Sequence, residues 1–441
     1  MPEHHEATPR EGMLSRALQP GVAKRELWSW AMYDFANSGY TTVVLTTVFN
    51  TYFVSVIAGG QPWATLALTA ALSVSYLLVM LTLPTLGARA DARARKRSLL
   101  FTSTVGCVLL TAALAIVAPG QVWLALVLLA ASNYCYCVGE ATVAAFLPEL
   151  ARPEALGRVS GWGWGWGYFG GMLALGIALG IVAYMSGKGA EASAYVPYTM
   201  LATAAVFAVA ALPSFVWLRE RSPATHRVAE SWLRRLLASW RETGRYFPDF
   251  RRLLICGACY HAGIAVVVTL AAVYANQVMG FTMAQTMLMV FTVNIAAAVG
   301  ALLFGFFQDR VGHRPALSVT LLGWMVMVVV AYLAVTPWVF WVAATLAGLC
   351  MGTSQSAGRA MTGAFAPQGR LAEFFALWGF AVQLASVVGP LCYGLVTWAT
   401  LGNHRLALLL TGLFFVAGWL VLKGVNFERG RAAREAHGAV A

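Results

Sequence analysis

The sequence predicts an all-α membrane protein in which twelve transmembrane helices form two pseudo-twofold-related six-helix bundles. Composition is the first observation: 59% of the residues are hydrophobic and 11% are charged, whereas about a quarter of a soluble domain is charged. The second is a series of twelve apolar runs, each near the roughly 20 residues that cross a bilayer. The third is a repeat, because Gly87 and Asp91 recur as Gly305 and Asp309, 218 positions later. Matching landmarks at one spacing indicate an internally duplicated chain.

The apolar runs divide the chain in a regular order. The predicted spans are 28–58, 63–87, 98–118, 121–147, 159–185, 197–218, 252–278, 283–307, 316–335, 337–358, 372–398 and 405–423. They predict an N-terminal bundle at 28–218, a linker at 219–251 and a C-terminal bundle at 252–423, with tails at 1–27 and 424–441. Residues 1–24 are polar, without a cleavable signal pattern, and we expect them to be disordered.

Basic residues predict the orientation in the membrane. With twelve spans both tails lie on one side, and all but two of the 30 lysines and arginines belong to that side; the exceptions are Lys188 and Arg405. Positively charged loops stay cytoplasmic, so we expect both termini inside a cell membrane. This distribution accounts for the formal charge of +12 without a nucleic-acid partner.

The linker carries a basic amphipathic helix at 231–247. One predicted face holds Trp232, Leu233, Leu236, Leu237 and Trp240, and Arg234, Arg235, Arg241 and Arg245 lie elsewhere. Two interpretations stay open. The helix lies on the anionic inner leaflet, or it packs against the cytoplasmic ends of the bundle.

The two repeated loops carry a specific pattern. The first has Gly87, Asp91, Arg93, Arg95 and Lys96, and the second has Gly305, Asp309, Arg310, Gly312, His313 and Arg314. With twelve spans in two halves, this pattern resembles the major facilitator superfamily of transporters. The first copy departs from the family pattern, since Ala92 replaces an Arg and Ala94 replaces a Gly. The resemblance implies that the loops latch the two halves, with Asp91 facing the start of span 11 and Asp309 the start of span 5. The alternative is simple anchoring by positive charge.

Three further stretches resemble one branch of that superfamily, the vacuole-effluxer-like transporters, whose eukaryotic members are associated with amino-acid efflux. They are Tyr33-Asp34 with Asn37-Ser38, the run from Leu147-Pro148 to Gly170-Gly171, and the start of span 11 at 371–380. Span 7 departs, because Tyr260-His261-Ala262-Gly263 lacks the acidic residue that often precedes this Gly in the branch.

Three titratable side chains lie inside predicted spans. A charge at membrane depth costs several kcal/mol, about 2.5–3.5 on insertion scales, so such residues line cavities, pair or titrate. Asp34 shares a helical face with Asn37 and Thr41. This pattern indicates either a polar stripe along the translocation pathway or an ion pair between Asp34 and a cytoplasmic Arg. Glu140, with Asn133 on the same face, predicts a proton carrier or an ion pair with Arg359 at the end of span 10. His261 predicts a titrating group or a packed, hydrogen-bonded ring.

Uncharged polar residues extend the candidate pathway. Asn294, Ser354, Gln355 and Gln383 are predicted to face one cavity, although amides in membranes also join helices. In the run at 161–167, Gly163, Gly167 and Gly171 form one stripe and Gly161 and Gly165 another. Both stripes predict close helix packing, with the intervening tryptophans in the interfacial belt.

Other chemistries have little support in the sequence. The Cys256-x-x-Cys259 pair beside His261 is weak evidence for a metal, and buried thiols are the alternative. We find no Walker loop, nucleophile elbow or HExxH motif, and expect no cofactor and no enzymatic activity. The prediction is a monomeric secondary transporter for a small polar solute. Amino-acid export by alternating access, with coupling to H+, is favoured over uptake and over a non-transporting sensor or scaffold.

Overall fold

The computed structural model describes residues 17–152, 156–221, 232–367 and 371–438; within these helices some further side chains, including those of Asp91, Asp309 and Arg359, are not described. In the described part, twelve helices are long and apolar enough to cross a membrane. We number them α1 to α12 in chain order: α1 Lys24–Ile57, α2 Ala64–Ala92, α3 Lys96–Ala113, α4 Val122–Ala144, α5 Leu156–Ser186, α6 Ala192–Trp217, α7 Pro248–Met279, α8 Met283–Val311, α9 His313–Leu333, α10 Pro337–Phe365, α11 Leu371–Ala399 and α12 His404–Lys423.

The two halves pack their helices in the same pairs. In the first half α1 contacts α5 and α6, α4 contacts α2 and α3, and α3 contacts α6. In the second half α7 contacts α11 and α12, α10 contacts α8 and α9, and α9 contacts α12. The halves meet through α2 against α11 and α5 against α8. If α1 to α6 are exchanged with α7 to α12, each contact named here maps onto another of them. This is the pseudo-twofold symmetry expected from the repeat.

The repeat also reaches individual side chains. The Tyr33 hydroxyl lies against Gly139, and the Tyr260 hydroxyl lies against Gly358. A Cβ atom at either glycine would overlap the hydroxyl. In both halves, therefore, a glycine lets the first helix approach the fourth.

Several helices are longer than the apolar runs that predicted them. α2 continues to Ala92, five residues beyond the predicted end, and α8 continues to Val311. The predicted loops at 88–97 and 308–314 therefore shrink to residues 93–95 and to Gly312 alone. Hydropathy marks where the lipid ends, whereas backbone hydrogen bonds let a helix continue into the aqueous layer. For the same reason α10 reaches Phe365, so Arg359 lies within that helix and not at its end.

α1 is not a regular α-helix. A π-helical stretch, Thr41–Thr47, interrupts it, and a second, Phe53–Ile57, ends it. The Thr47 hydroxyl donates to the Thr42 carbonyl at 2.7 Å, which satisfies a backbone group inside the first stretch. π-Helical turns inside α-helices frequently mark functional sites.

Both tails contain ordered segments. The predicted disorder of residues 1–24 is wrong for residues 17–24: Leu18 is buried and forms an isolated bridge with Ala151, and Lys24 begins α1. Residues 1–16 lie outside the described part. After α12, a tail helix, Phe427–Gly438, follows. Arg429 in this helix donates from Nε and Nη2 to the Asp249 carboxylate at 2.6 and 2.7 Å. The C-terminal tail is thus attached to the start of α7.

The linker contains a helix, Trp232–Tyr246, close to the predicted range. On its apolar face Leu237 is 53% exposed and Trp240 is 39% exposed. Arg241 and Arg245 are exposed as well. Thr243 and Phe247, nearest α7, are buried. The linker helix is therefore anchored at its C-terminal end, while these two apolar side chains remain partly exposed among the described residues.

Candidate functional site

A cavity of about 270 Å³ lies between the two halves. Helices α1, α4 and α5 supply its wall on one side, and α7 to α12 supply the other. The two walls differ in chemistry. All residues from the first half are polar or glycine: Asp34, Asn37, Ser38, Thr41, Thr42, Thr46, Tyr136, Glu140, Gly167, Tyr168 and Gly171.

The polar stripe on α1 is more extensive than the sequence analysis proposed. Asp34, Asn37 and Thr41 lie in the wall, and so do Ser38, Thr42 and Thr46, which it missed. The missed residues had a signal, because positions 34, 38, 42 and 46 follow one another at the four-residue spacing of a helical face. One face of α1 thus presents a carboxylate and a row of hydroxyls and amides to the cavity.

Glycines of α5 position Asp34. A Cβ atom at Gly163 would lie 2.5 Å from Asp34 Oδ2, and one at Gly167 would lie 2.8 Å from Ser38 Oγ. A Cβ at Gly171 would lie 2.7 Å from Thr42 Oγ1. This stripe therefore brings α5 against the polar face of α1, as the spacing predicted. The second stripe does not behave alike: a Cβ at Gly165 would meet no atom within 4 Å, and the side-chain surroundings of Gly161 lie outside the description.

Glu140 enters the cavity from α4. It follows Gly139, where the close packing of Tyr33 fixes the separation of α1 and α4. Tyr136, one turn earlier, also lines the cavity and stacks on Tyr40 with ring centroids 5.0 Å apart. Two carboxyl groups, Asp34 and Glu140, therefore belong to one wall. The expected pair between Glu140 and Arg359 falls on a side chain outside the described part.

The opposite wall is mainly apolar. Valines, alanines, leucines and three methionines (Met289, Met327 and Met351) cover most of it, and Phe340 adds a ring. The exceptions are Asn294 and Gln355, which the sequence analysis proposed, and Tyr274 and Tyr393, which it missed. The Asn294 amide donates to the Val290 carbonyl one turn earlier at 2.8 Å. No sequence signal separated this wall from lipid-facing surface, because both consist of apolar side chains.

Two predicted pathway residues lie elsewhere and need correction. Asn133 is fully buried between helices, where its amide donates to Ser75 Oγ on α2 at 2.6 Å. Ser354 is fully buried on the far side of α10 and accepts a hydrogen bond from Trp324 Nε1 at 2.8 Å. Both join helices within one half. A polar side chain in a membrane can satisfy its hydrogen bonds by lining a cavity or by joining two helices. The sequence alone therefore did not distinguish these two roles.

Two more predicted residues are also absent from the cavity wall. The His261 ring packs edge-on against Trp378 of α11, with centroids 5.6 Å apart. Gln383 of α11 is half-buried, and its amide nitrogen is buried with no hydrogen-bond partner among the described residues. Neither lines the cavity, so the proposed common cavity for all these polar residues needs correction.

The basic loops are held within their own halves. Lys96 is buried, and its Nζ lies 2.8 Å from Glu149 Oε1 in the short helix Leu147–Leu150. Arg314 Nη2 donates to the Lys423 carbonyl at 2.7 Å. Lys96, predicted as a gating-loop residue, is the first residue of α3, and in this conformation both cations contact their own half.

Among the described residues, the other arginines of these loops make no hydrogen bond or ion pair with the opposite half. Arg93, Arg95 and Arg310 are exposed. A Cβ at Gly87 would meet no atom of the described residues within 4 Å, so the expected close approach is not seen among them. The side chains of Asp91 and Asp309, and the surroundings of Gly305, are outside the description.

Several contacts between the halves lie at one end of the bundle. We call the end with residues 17–23 and the tail helix Phe427–Gly438 the tail end, and the opposite end the distal end. Towards the distal end, the Asn50 amide of α1 donates to the Thr269 carbonyl of α7 at 3.0 Å. Ser73 Oγ of α2 donates to the Val387 carbonyl of α11 at 3.2 Å. A Cβ at Gly394 of α11 would lie 2.9 Å from the Leu66 Cα. The distal end is therefore closely packed.

Solved transporter structures share this fold. The nucleoside transporter NupG superposes with a TM-score of 0.65 at 13% identity, over 91% of this chain and 98% of NupG. A D-xylose-proton symporter gives 0.66 at 15% identity, over 92% and 98% of the two chains. A bacterial homolog of the human lysosomal transporter Spinster, in an inward-facing and unoccupied conformation, gives 0.65 at 14%. The fold is that of the major facilitator superfamily, as the sequence predicted.

Proteins related in sequence identify the family within this superfamily. An uncharacterized MFS-type transporter, YxiO of Bacillus subtilis, is 26% identical over 411 residues, 91% of this chain and 94% of YxiO. Autophagy-related protein 22-1 of Aspergillus niger is 25% identical over 244 residues, 50% of this chain and 40% of that protein. These relatives and structural neighbours are transporters and not enzymes. The family described as vacuole effluxer Atg22 like matches residues 58–157 and 154–435. The chain therefore belongs to the vacuole effluxer Atg22-like family and is a multi-pass membrane transporter.

Proposed function

We propose that this transporter exports amino acids or related small polar metabolites by alternating access, with proton coupling through Asp34 or Glu140. The observation that carries the proposal is the cavity between the halves, in which both carboxyl groups occupy the polar wall. An acidic side chain at membrane depth is costly, by about 2.5–3.5 kcal/mol on insertion scales. Two such residues facing one cavity are consistent with a site that binds protons, a cationic group, or each in turn.

The distribution of positive residues supports a cytoplasmic tail end. A cell-membrane location with both termini inside is part of this proposal. The distal end is closely packed, whereas in the described part of the chain a Cβ at Gly87 or at Gly379 of α11 would meet no atom within 4 Å. The described conformation then corresponds to the state open towards the cytoplasm. Export would proceed when the halves rock about the cavity and the contacts at the distal end separate.

The two basic loops would stabilise the opposite, outward-open state. In that state Gly87 and Gly305 would approach the neighbouring half, and Asp91 and Asp309 would face the starts of α11 and α5. An aspartate at a helix N-terminus is favoured by the helix dipole. The exposed cations Arg93, Arg95 and Arg310 would complete the latch, while Lys96 and Arg314 anchor each loop to its own half.

Flux into proteoliposomes tests the proposal. Purified protein is reconstituted, and uptake of labelled amino acids is measured with and without an imposed pH gradient. We expect saturable flux that responds to the gradient, and loss of that response in Asp34→Asn or Glu140→Gln. Glu191→Gln, which removes an exposed carboxylate before α6, serves as the control. Unchanged gradient dependence in both cavity variants would refute coupling, and absence of saturable flux would favour a sensor or scaffold.

A second experiment separates the two interpretations of Glu140. If Glu140 pairs with Arg359, each single neutral variant lowers the yield of folded protein, and Glu140→Gln with Arg359→Gln together restores part of it. If Glu140 carries protons, Glu140→Gln folds normally and loses only gradient-driven flux. Size-exclusion profiles of the three variants in detergent, followed by flux, distinguish these outcomes.

A further inference from the structure

The two walls of the cavity suggest which part of a solute each would contact. The wall from the first half consists of polar residues and glycines and includes both carboxyl groups, whereas the facing wall is mainly aliphatic. A solute that spans this cavity places a polar end against α1, α4 and α5, and an apolar end against α7 to α12.

The charged groups of the cavity indicate the chemistry of the solute's polar end. Among the described residues that line the cavity, Asp34 and Glu140 are the ionisable acids, and none is Lys, Arg or His. A carboxylate accepts hydrogen bonds and attracts a cation, and it repels an anion. Hydroxyl and amide groups of Asn37, Ser38 and Thr41 surround Asp34 on its helical face and add neutral acceptors.

Aromatic groups add a second feature that favours a cation. Tyr136 and Tyr168 belong to the polar wall, and Tyr274, Phe340 and Tyr393 belong to the opposite wall. The face of an aromatic ring attracts an ammonium group, and it also packs well against an apolar body. The methionines of the opposite wall adapt to apolar bodies of different shape.

We infer that the cavity binds solutes through a protonated amine held by Asp34 and Glu140, with the apolar body of the solute against α7 to α12. The substrate class is then primary amines with an apolar side chain. Amino acids belong to it through their ammonium group, and the amines that lack their carboxylate belong to it equally. This inference rests on the transport function proposed above, and it deepens that proposal by naming the recognised group.

Binding to purified protein in detergent tests the inference, because it requires neither flux nor a pH gradient. The probes are phenylalanine, phenethylamine, N-acetylphenylalanine and 3-phenylpropanoate, which share a ring and differ in charge. Isothermal titration and thermal shift are measured at pH 7.5, since a ligand of the native state raises its apparent stability. We expect phenylalanine and phenethylamine to bind and the two probes without an ammonium group to fail.

Variants connect the binding to the carboxylates. Asp34→Asn and Glu140→Gln should each weaken phenethylamine binding by about tenfold or more, the usual consequence of removing one partner of a buried charge pair. Glu191→Gln, on the exposed distal loop, should bind like the parent protein. Size-exclusion profiles confirm that each variant is folded.

Three results would overturn the inference. N-acetylphenylalanine binding as tightly as phenylalanine would show that the amine is not recognised. Phenylalanine binding without phenethylamine would show that the carboxylate is required, and a loss of that binding in Arg359→Gln would identify its partner. A dissociation constant of about 1 mM marks the weak end of the affinity scale. If neither amine binds at concentrations up to about 10 mM, tenfold above that constant, the inference is also refuted. Binding of amines without flux in proteoliposomes would uphold the binding site and refute the transport proposal instead.

Discussion

Ala94 and Gly312 are 218 positions apart, at equivalent points of the two basic loops, and both have a positive φ angle, 48° and 87° respectively. Each lies between the second and third helix of its half. Glycine adopts this conformation freely, whereas a residue with a Cβ atom is strained in it. The first copy thus keeps a positive φ angle at this position although it does not keep the glycine.

This relationship predicts that Ala94→Gly stabilises the protein. Removing the Cβ at a positive φ relieves strain of about 1 kcal/mol, and the reciprocal change Gly312→Ala should destabilise the protein by at least a similar amount. The measurement is the midpoint of thermal unfolding in detergent. Gly87→Ala is the matched control, because Gly87 is helical and its Cβ would be unobstructed. A lower midpoint for Ala94→Gly would contradict the strain.

Close packing of α5 on α1 predicts a sharp difference between two glycines of α5. A Cβ at Gly170 would overlap the Phe35 carbonyl, whereas one at Gly176 would meet no atom within 4 Å. Gly170→Ala should therefore lower the amount of folded protein, as overpacking typically costs about 1–3 kcal/mol. Gly176→Ala should be neutral or slightly stabilising, because alanine is the better helix former. Fluorescence-detected size exclusion compares the two, and equal yields would disprove the close approach.

The tail helix predicts a graded loss of stability. Asp249 is buried and accepts from Arg429, from the Asn426 backbone N–H at 2.9 Å, and lies 3.5 Å from Arg252. In Arg429→Gln the carboxylate keeps Arg252 and the backbone donor, whereas Asp249→Ala leaves three donors without their acceptor. We expect a small fall in the unfolding midpoint for the first and a larger fall for the second. The reverse order would show that the tail helix is held by other contacts.

The exposed apolar face of the linker helix favours the membrane-surface interpretation over packing against the bundle. Leu237 and Trp240 are partly exposed, and Arg241 and Arg245 lie nearby. A basic amphipathic helix of this kind binds anionic lipid, with each cation near the surface contributing about 1 kcal/mol. Phosphatidylglycerol should raise the unfolding midpoint of the parent protein more than that of Arg241→Gln with Arg245→Gln. Lys188→Gln, on the distal loop, should respond like the parent, and equal responses in all three proteins would refute lipid binding.

The repeat and the apolar runs were sufficient to predict the fold. Periodicity did not locate helix ends such as Val311 and Phe365, because these ends lie beyond the apolar core and are determined by backbone hydrogen bonding. Gly312 stops α8 through its backbone conformation, a property that hydropathy does not measure.

The site was predictable only in its polar part. Asp34, Asn37, Thr41 and Glu140 are conspicuous because polar groups are costly in lipid. Asn133 is equally conspicuous, and its partner Ser75 is what separates it from the cavity. The apolar wall had no signal, since a methionine facing a solute and one facing lipid look alike in a sequence. Contacts between halves, such as Asn50 with Thr269, require the three-dimensional arrangement.

The π-helical stretch Thr41–Thr47 divides α1 into two portions that make different contacts. Asp34 faces the cavity from the portion before it, and Asn50, after it, fastens the distal end. Each residue of a helix advances the side chains by about 100° around its axis. Deleting one residue between 41 and 47 would restore ordinary periodicity but would swing one of these groups away from its neighbour. The rotation of the cavity-lining Asp34 relative to Asn50, which contacts the other half, therefore depends on one local irregularity of the first helix.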